Sequence, residues 1–270
     1  MSRITGCFEK LQGEGRKALI PYLTAGDPNT GTTLELMHAL VANGADIIEL
    51  GFPFTDPTSD GPVIQRAVER ALANNTSLRD TLDVVSRFRE TNADTPIVLM
   101  GYLNPVECMG YQAFADAAIN SGVDGVLIVD MPPEESHDFL EILKKTELDT
   151  IFLVAPTTSS DRARRICEQS SGYVYYVSLK GVTGAGNLDV ASVKENLDRL
   201  RTCTELPLGV GFGIKDATTA KQIGDIADAV VVGSALINRI AELDPVREYS
   251  VSELESHIGL IGEMREAMDA

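Results

Sequence analysis

The sequence predicts an α/β fold, specifically a single-domain (β/α)8 or TIM barrel with extra helices. Three observations carry the prediction. Eight short apolar runs, rich in branched side chains, are spread along the 270 residues, and they are apolar on both faces. That pattern belongs to parallel strands covered by helices. Helical patterns fill the intervals, so strand and helix alternate. No linker, low-complexity tract or long charge run interrupts residues 1–270, and barrels of about this length form one domain. An open doubly wound sheet is the competing architecture. It favours GxGxxG after its first strand, where this chain has Thr24-Ala-Gly-Asp27.

The elements follow in order. Ser2–Gln12 reads as an additional N-terminal helix, placed to close the barrel floor. The strand runs are Ala18–Leu23, Ile47–Leu50, Ile97–Tyr102, Gly125–Val129, Ile151–Val154, Val174–Val177, Leu208–Gly211 and Ala229–Val232. Thr32–Asn43 carries Leu36, Met37, Leu40 and Val41 at helical spacing, opens with Thr32-x-x-Glu35 and stops at Gly44. The long interval after Leu50 holds two helices, Val63–Ala73 and Leu78–Glu90, the second announced by Ser77-x-x-Asp80. Gln112–Ser121 ends at Gly122, Arg162–Ser171 ends at Gly172, and Val251–Met268 is one final helix.

Composition narrows the function. Lys and Arg total 23 against 40 Asp and Glu, a net charge of −17. That argues against nucleic acid, whose phosphates call for clustered cations, and against an anionic membrane surface. The four cysteines form no CxxC pair and read as free thiols in a reducing cytoplasm. No secretory leader or membrane-length apolar run is visible. His38, His137 and His257 all fall in helical segments and read as structural, which weakens any His-based catalytic scheme.

In this fold the site lies at the C-terminal ends of the strands and in the loops that follow. Glu49 sits near the end of the second strand, and Asp60 lies in the Gly51–Pro62 loop after it. A carboxyl group directed into a barrel mouth gains a raised pKa through desolvation, as a general acid or base near neutrality requires. Two plainer readings stand beside this one. Glu49 is alternatively paired with a barrel cation, and Asp60 is alternatively the N-cap of the helix opening at Pro62. Glycine-rich segments follow the sixth, seventh and eighth strands: Gly181–Gly186, Gly211–Gly213 and Gly233-Ser234. They fit a phosphate held by backbone N–H groups, which offsets the acidic global charge; the plainer reading is tight turns.

Glu49-Leu-Gly-Phe-Pro-Phe-Thr-Asp-Pro-Thr-Ser-Asp-Gly-Pro-Val-Ile-Gln65 resembles the signature of the tryptophan synthase alpha subunit family. Ile20–Pro28, Met100–Pro105, Val129–Glu135, Ala155–Thr158, Gly181–Ala185, Gly209–Ile214 and Val232–Ala235 continue the resemblance in the family's order, over roughly Ile20 to Ile237. The resemblance implies a retro-aldol lyase that cleaves indole-3-glycerol phosphate to indole and glyceraldehyde 3-phosphate in tryptophan biosynthesis. It places the general acid/base on Glu49 and the partner of the indole N–H on Asp60. It places Tyr175 near the glycerol phosphate and Gly184, Phe212, Gly213, Gly233 and Ser234 in the phosphate loops. Tyr22, Met100, Tyr102, Leu127 and Val129 match the indole pocket, with barrel packing an equal role for Leu127 and Val129. Thr183 matches a loop residue that hydrogen-bonds the Asp60 equivalent on closure. No metal or cofactor is implied for this chain. A beta subunit carrying pyridoxal phosphate is implied as partner in an α2β2 heterotetramer, with indole channelled between them. The stretch Pro57-Thr-Ser-Asp60 departs from the family's more usual Pro-Leu-Ala-Asp. A stand-alone indole-releasing lyase and a non-catalytic allosteric scaffold for the beta subunit are the alternatives.

Overall fold

The computed structural model describes residues 2–178 and 189–270. Its strands are β1 (Ala18–Thr24), β2 (Ile48–Gly51), β3 (Ile97–Gly101), β4 (Gly125–Ile128), β5 in two pieces (Asp149–Thr150 and Leu153–Val154), β6 (Val174–Val177), β7 (Leu208–Gly211) and β8 (Ala229–Val232). Every neighbouring pair is parallel, and β1 lies between β2 and β8. The ring closes at β5. On one side the N–H groups of Asp149 and Ile151 donate to the carbonyls of Asp124 and Val126, both at 2.9 Å. On the other, the N–H groups of Ser171 and Tyr175 donate to the carbonyls of Thr150 and Phe152 at 2.8 and 3.1 Å. The eight strands of the sequence reading are therefore all present, in a parallel barrel.

The helices before β5 are α1 (Arg3–Gly13), α2 (Thr30–Ala42), α3 (Pro62–Ala73), α4 (Leu78–Arg89), α5 (Leu103–Met109), α6 (Tyr111–Ser121) and α7 (His137–Leu143). Those after it are α8 (Ser160–Gln169), α9 (Val190–Arg201), α10 (Ala217–Gly224), α11 (Ser234–Ile240), α12 (Val251–His257) and α13 (Leu260–Asp269). Two apolar clusters hold the layers together. One fills the barrel interior, where Ile4, Phe8 and Leu11 of α1 pack against Ile20, Val98, Leu127 and Tyr173, so α1 does close the floor. Ile4 is fully buried, seated against Gly125 and Gly172; a Cβ on either glycine would press into it at 3.0–3.2 Å. The other cluster lies between the strands and the outer helices, with Leu19, Leu23, Met37, Leu40, Leu50 and Phe88 among its members.

Several boundaries differ from the sequence reading, each for a local reason. The first long helix starts at Thr30, because Asn29 takes the cap and its side chain accepts the N–H of Thr32. Tyr102 leaves β3 to become the N-cap of α5, a helix whose Pro105 sits in the tolerant first turn. The expected single C-terminal helix is two. Gly259 and Gly262 weaken the continuous helix, and the break at Ile258 lets α12 pack on α2 while α13 packs on α10. The Ser77–Asp80 capping box and the left-handed stop at Gly122 are as expected.

Candidate active site

A cavity of about 510 Å³ opens at the C-terminal mouth of the barrel. β1 and β2 run in register so that Tyr22 pairs with Glu49, and both side chains line this cavity. Met100 enters from β3, Tyr175 from β6, Phe212 and Gly213 from the loop after β7, and Gly233 and Ser234 from the junction of β8 and α11. Asp60 closes the side wall from the loop between β2 and α3. The structure thus brings together residues separated by up to 212 positions in the chain, Tyr22 to Ser234. Among the described residues the walls hold no Lys, Arg or His. His38 stacks on Phe88 on the outer layer, and His257 contacts the carbonyl of Arg239.

Glu49 is 1% exposed. Its partner is a phenol rather than a cation: Tyr173 Oη donates to Glu49 Oε1 at 2.5 Å. Burial pushes the carboxyl from its ordinary 4.5 up to about 7, and the Tyr173 hydrogen bond opposes part of that rise. The same burial, together with the negative charge of Glu49, raises the Tyr173 and Tyr175 phenols well above their usual range. Both therefore remain protonated donors through neutral pH.

Asp60 does not cap α3. The N-cap is Gly61, without a side-chain bond, followed by Pro62 in the first turn. The Asp60 carboxylate instead accepts a hydrogen bond from Tyr102 Oη at 3.0 Å, and the backbone N–H of Ser59 donates to that same phenol oxygen at 3.0 Å. Burial pushes Asp60 up to about 6, with the Tyr102 bond pulling the other way. Tyr102 and Val129 line a small recess beside the main cavity, together with Phe54, whose ring lies 5.5 Å from that of Tyr102. Leu127 is placed differently: it is fully buried in the interior cluster and is not part of the cavity wall. Thr183 and Gly184 lie outside the described residues.

Glycines at the strand ends are required by the two wall tyrosines. A Cβ on Gly51 would lie 2.1 Å from Tyr22 Oη, and one on Gly211 would lie 1.9 Å from Tyr175 Oη. Just beyond, Phe212 and Gly213 both adopt positive φ, at 73° and 79°, and turn the chain sharply at the cavity edge. Phe212 stays 41% exposed there, an apolar ring left at the mouth. The residue missed by the sequence reading is Tyr173. A signal existed: it precedes Tyr175 by two, so strand alternation puts both on the inner face.

An aromatic-walled cavity holding two buried carboxyls at the C-terminal mouth of a parallel barrel is where (β/α)8-barrel enzymes carry their active sites. A family model described as "Tryptophan synthase alpha chain" matches residues 8–269. The chain belongs to the tryptophan synthase alpha chain family. The tryptophan synthase alpha chain of Thioalkalivibrio sulfidiphilus is 61% identical over 272 residues, covering all of both chains. The solved structure of tryptophan synthase subunit alpha from Legionella pneumophila superposes with a TM-score of 0.89 at 44% identity, over 100% of this chain and 99% of that one. A chain of tryptophan synthase from Mycobacterium tuberculosis, in its aminoacrylate-bound form, matches with a TM-score of 0.87 at 34% identity, over 99% and 100%.

Proposed function

We propose that Glu49 and Asp60 carry the carbon–carbon cleavage of this family, in which indole-3-glycerol phosphate gives indole and glyceraldehyde 3-phosphate. The observation that supports this most is two carboxyls on one cavity, each held by a tyrosine hydroxyl and each with its pKa raised by burial. Burial raises both carboxyls toward neutrality, where a carboxyl can both give and take a proton. Protonated Glu49 donates to indole C3. Asp60 accepts the hydrogen bond of the ring N–H and stabilises the cationic ring that results. The Glu49 carboxylate then takes the proton of the side-chain hydroxyl. The carbonyl of the aldehyde forms, the C–C bond breaks, and its electron pair returns to the ring. Glu49 ends as it began, protonated.

The remaining wall residues bind. Tyr22, Met100, Tyr102 and Val129 offer apolar surface to the indole, with Leu127 beneath as packing. Tyr175 sits toward the glycerol phosphate. Phe212, Gly213, Gly233 and Ser234, together with Gly184, are assigned to the phosphate through backbone N–H groups, which suits walls without cations among the described residues. Thr183 is assigned to Asp60 on loop closure. Pyridoxal phosphate belongs to a beta subunit, which receives the indole in an α2β2 assembly. The loop from Pro53 to Asp60 and the segment from Tyr102 to Pro105 face that partner. Among the described residues no helix is long and apolar enough to cross a membrane, and a cytoplasmic location is part of the proposal. The test is indole release from indole-3-glycerol phosphate by the purified chain, alone and with a beta subunit. Slow release alone and a large rise with the partner are expected. No indole under either condition refutes the reading in favour of a scaffold, and fast release without a partner refutes the channelled form.

A further inference from the structure

Asp60 ends a loop whose residues from Thr55 to Ser59 are largely exposed. At the loop's end Tyr102 Oη holds the Asp60 carboxylate and the Ser59 N–H, which leaves the backbone of Asp60 itself to be fixed from elsewhere. The structure shows where. Gln65, on the first turn of α3, sends its Nε2 back to the backbone carbonyl of Asp60 at 2.8 Å and reaches the carbonyl of Pro57 at 3.5 Å.

The other end of α3 is fastened to the loop after β1. Arg70 meets Asp27 as a fork, Nε to Oδ1 at 2.7 Å and Nη2 to Oδ2 at 2.8 Å. Asp27 is 2% exposed. One turn on, Asn74 donates to the carbonyls of Gly26 and Pro28 at 3.2 and 2.5 Å. A bidentate pair with its carboxylate buried is not needed merely to hold a helix on a barrel, since apolar residues of similar volume do that as well. What the fork adds is a fixed direction and distance. Between the two ends α3 is a regular twelve-residue helix with Ala67, Val68 and Ala71 buried, so it moves as a unit.

We propose that α3 is a strut for the reaction: the Asp27–Arg70 fork fixes it to the barrel rim, and Gln65 passes that position to the backbone of Asp60. Gln65 and Arg70 are positioning residues, and neither lines the cavity. This rests on the reading of Asp60 as partner of the indole N–H. A displacement near 1 Å at a reacting group costs up to about a hundredfold in rate, whereas binding of the phosphate end, on β7 and β8, is untouched.

The experiment measures kcat and KM for indole release by the full chain saturated with a beta subunit, normalised to the folded fraction seen by circular dichroism. The variants are Gln65→Met, which keeps length and helix propensity but loses the donor, and Arg70→Lys, which keeps the charge but loses the fork. Asp60→Asn is the reference. Gln65→Met is expected to lower kcat roughly ten- to a hundredfold with KM changed by less than about twofold. Arg70→Lys is expected to lower it by a smaller factor in the same pattern. Wild-type kcat in both variants, with Asp60→Asn impaired, overturns the strut and leaves the role of Asp60 standing. A loss that vanishes on normalisation, or one that falls on KM instead of kcat, overturns it equally. Wild-type kcat in Asp60→Asn overturns the reading on which the strut rests.

Discussion

Relative to wild type, Glu49→Gln should gain stability as pH rises while its turnover is abolished. Glu49 is 1% exposed and its pKa is raised from 4.5 to about 7 in the folded chain. That difference corresponds to about 3 kcal/mol between protonation states. A raised carboxyl pKa means the unfolded chain releases this proton first. The stability associated with protonated Glu49 is therefore complete below about pH 4.5 and is lost as pH rises through about 7. About 2 kcal/mol of the loss falls between pH 5.5 and pH 8. Glutamine cannot ionise, and its Oε1 still accepts from Tyr173. Any cost of the buried amide nitrogen is the same at every pH, so it offsets the curve without tilting it. Urea unfolding of wild type and Glu49→Gln at both pH values gives the difference directly. The account predicts that the stability of the variant relative to wild type improves by about 2 kcal/mol from pH 5.5 to pH 8. Parallel curves would refute the reasoning, since Glu49 would then titrate alike in folded and unfolded chains.

Other expectations follow from the same geometry. The pH profile of kcat/KM should be bell-shaped, falling on the alkaline side as Glu49 loses its proton near 7 and on the acid side as Asp60 gains one near 6; a flat profile across that range contradicts the assignment. Tyr102→Phe removes the donor that favours ionised Asp60, so the acid limb should move to higher pH, and an unmoved limb would show that the phenol does not set this pKa. Gly211→Ala places a methyl where Tyr175 Oη lies, so substrate KM should rise and overpacking should cost about 1–3 kcal/mol of stability; unchanged KM in the folded variant would show that Tyr175 does not shape the binding surface. Ile4→Ala leaves a cavity in the barrel floor and should cost about 2–5 kcal/mol in unfolding free energy, with kcat at saturation preserved.

The barrel was legible because strands buried on both faces leave near-continuous apolar runs, and these do not depend on tertiary partners. Loop ends were less so. α5 was hidden because Leu103-Asn-Pro-Val reads as a turn, although proline is acceptable in a helix's first turn. Glu49 was legible as a residue near a strand end and Asp60 as one in the loop after it, but their partners were not. The bond that turns Asp60 from a cap into a cavity wall comes from Tyr102, 42 positions away, and that on Glu49 comes from Tyr173, 124 positions away. Leu127 and Val129 show the same limit. Alternation puts both on one face, yet Val129 reaches the recess at the rim while Leu127 lies in the interior cluster. Depth along a strand axis depends on the stagger of the closed barrel, which no periodicity encodes.

The central claim is that one buried carboxyl, Glu49, moves the protons of the cleavage. A single-turnover experiment tests it most directly: indole-3-glycerol phosphate is mixed with excess wild type or Glu49→Gln in the presence of a beta subunit, and indole formation is followed. Binding of an inert glycerol-phosphate analogue is measured in parallel. The account predicts no indole from Glu49→Gln within many wild-type turnovers, with analogue affinity preserved. Indole formed at the wild-type rate by Glu49→Gln would contradict it.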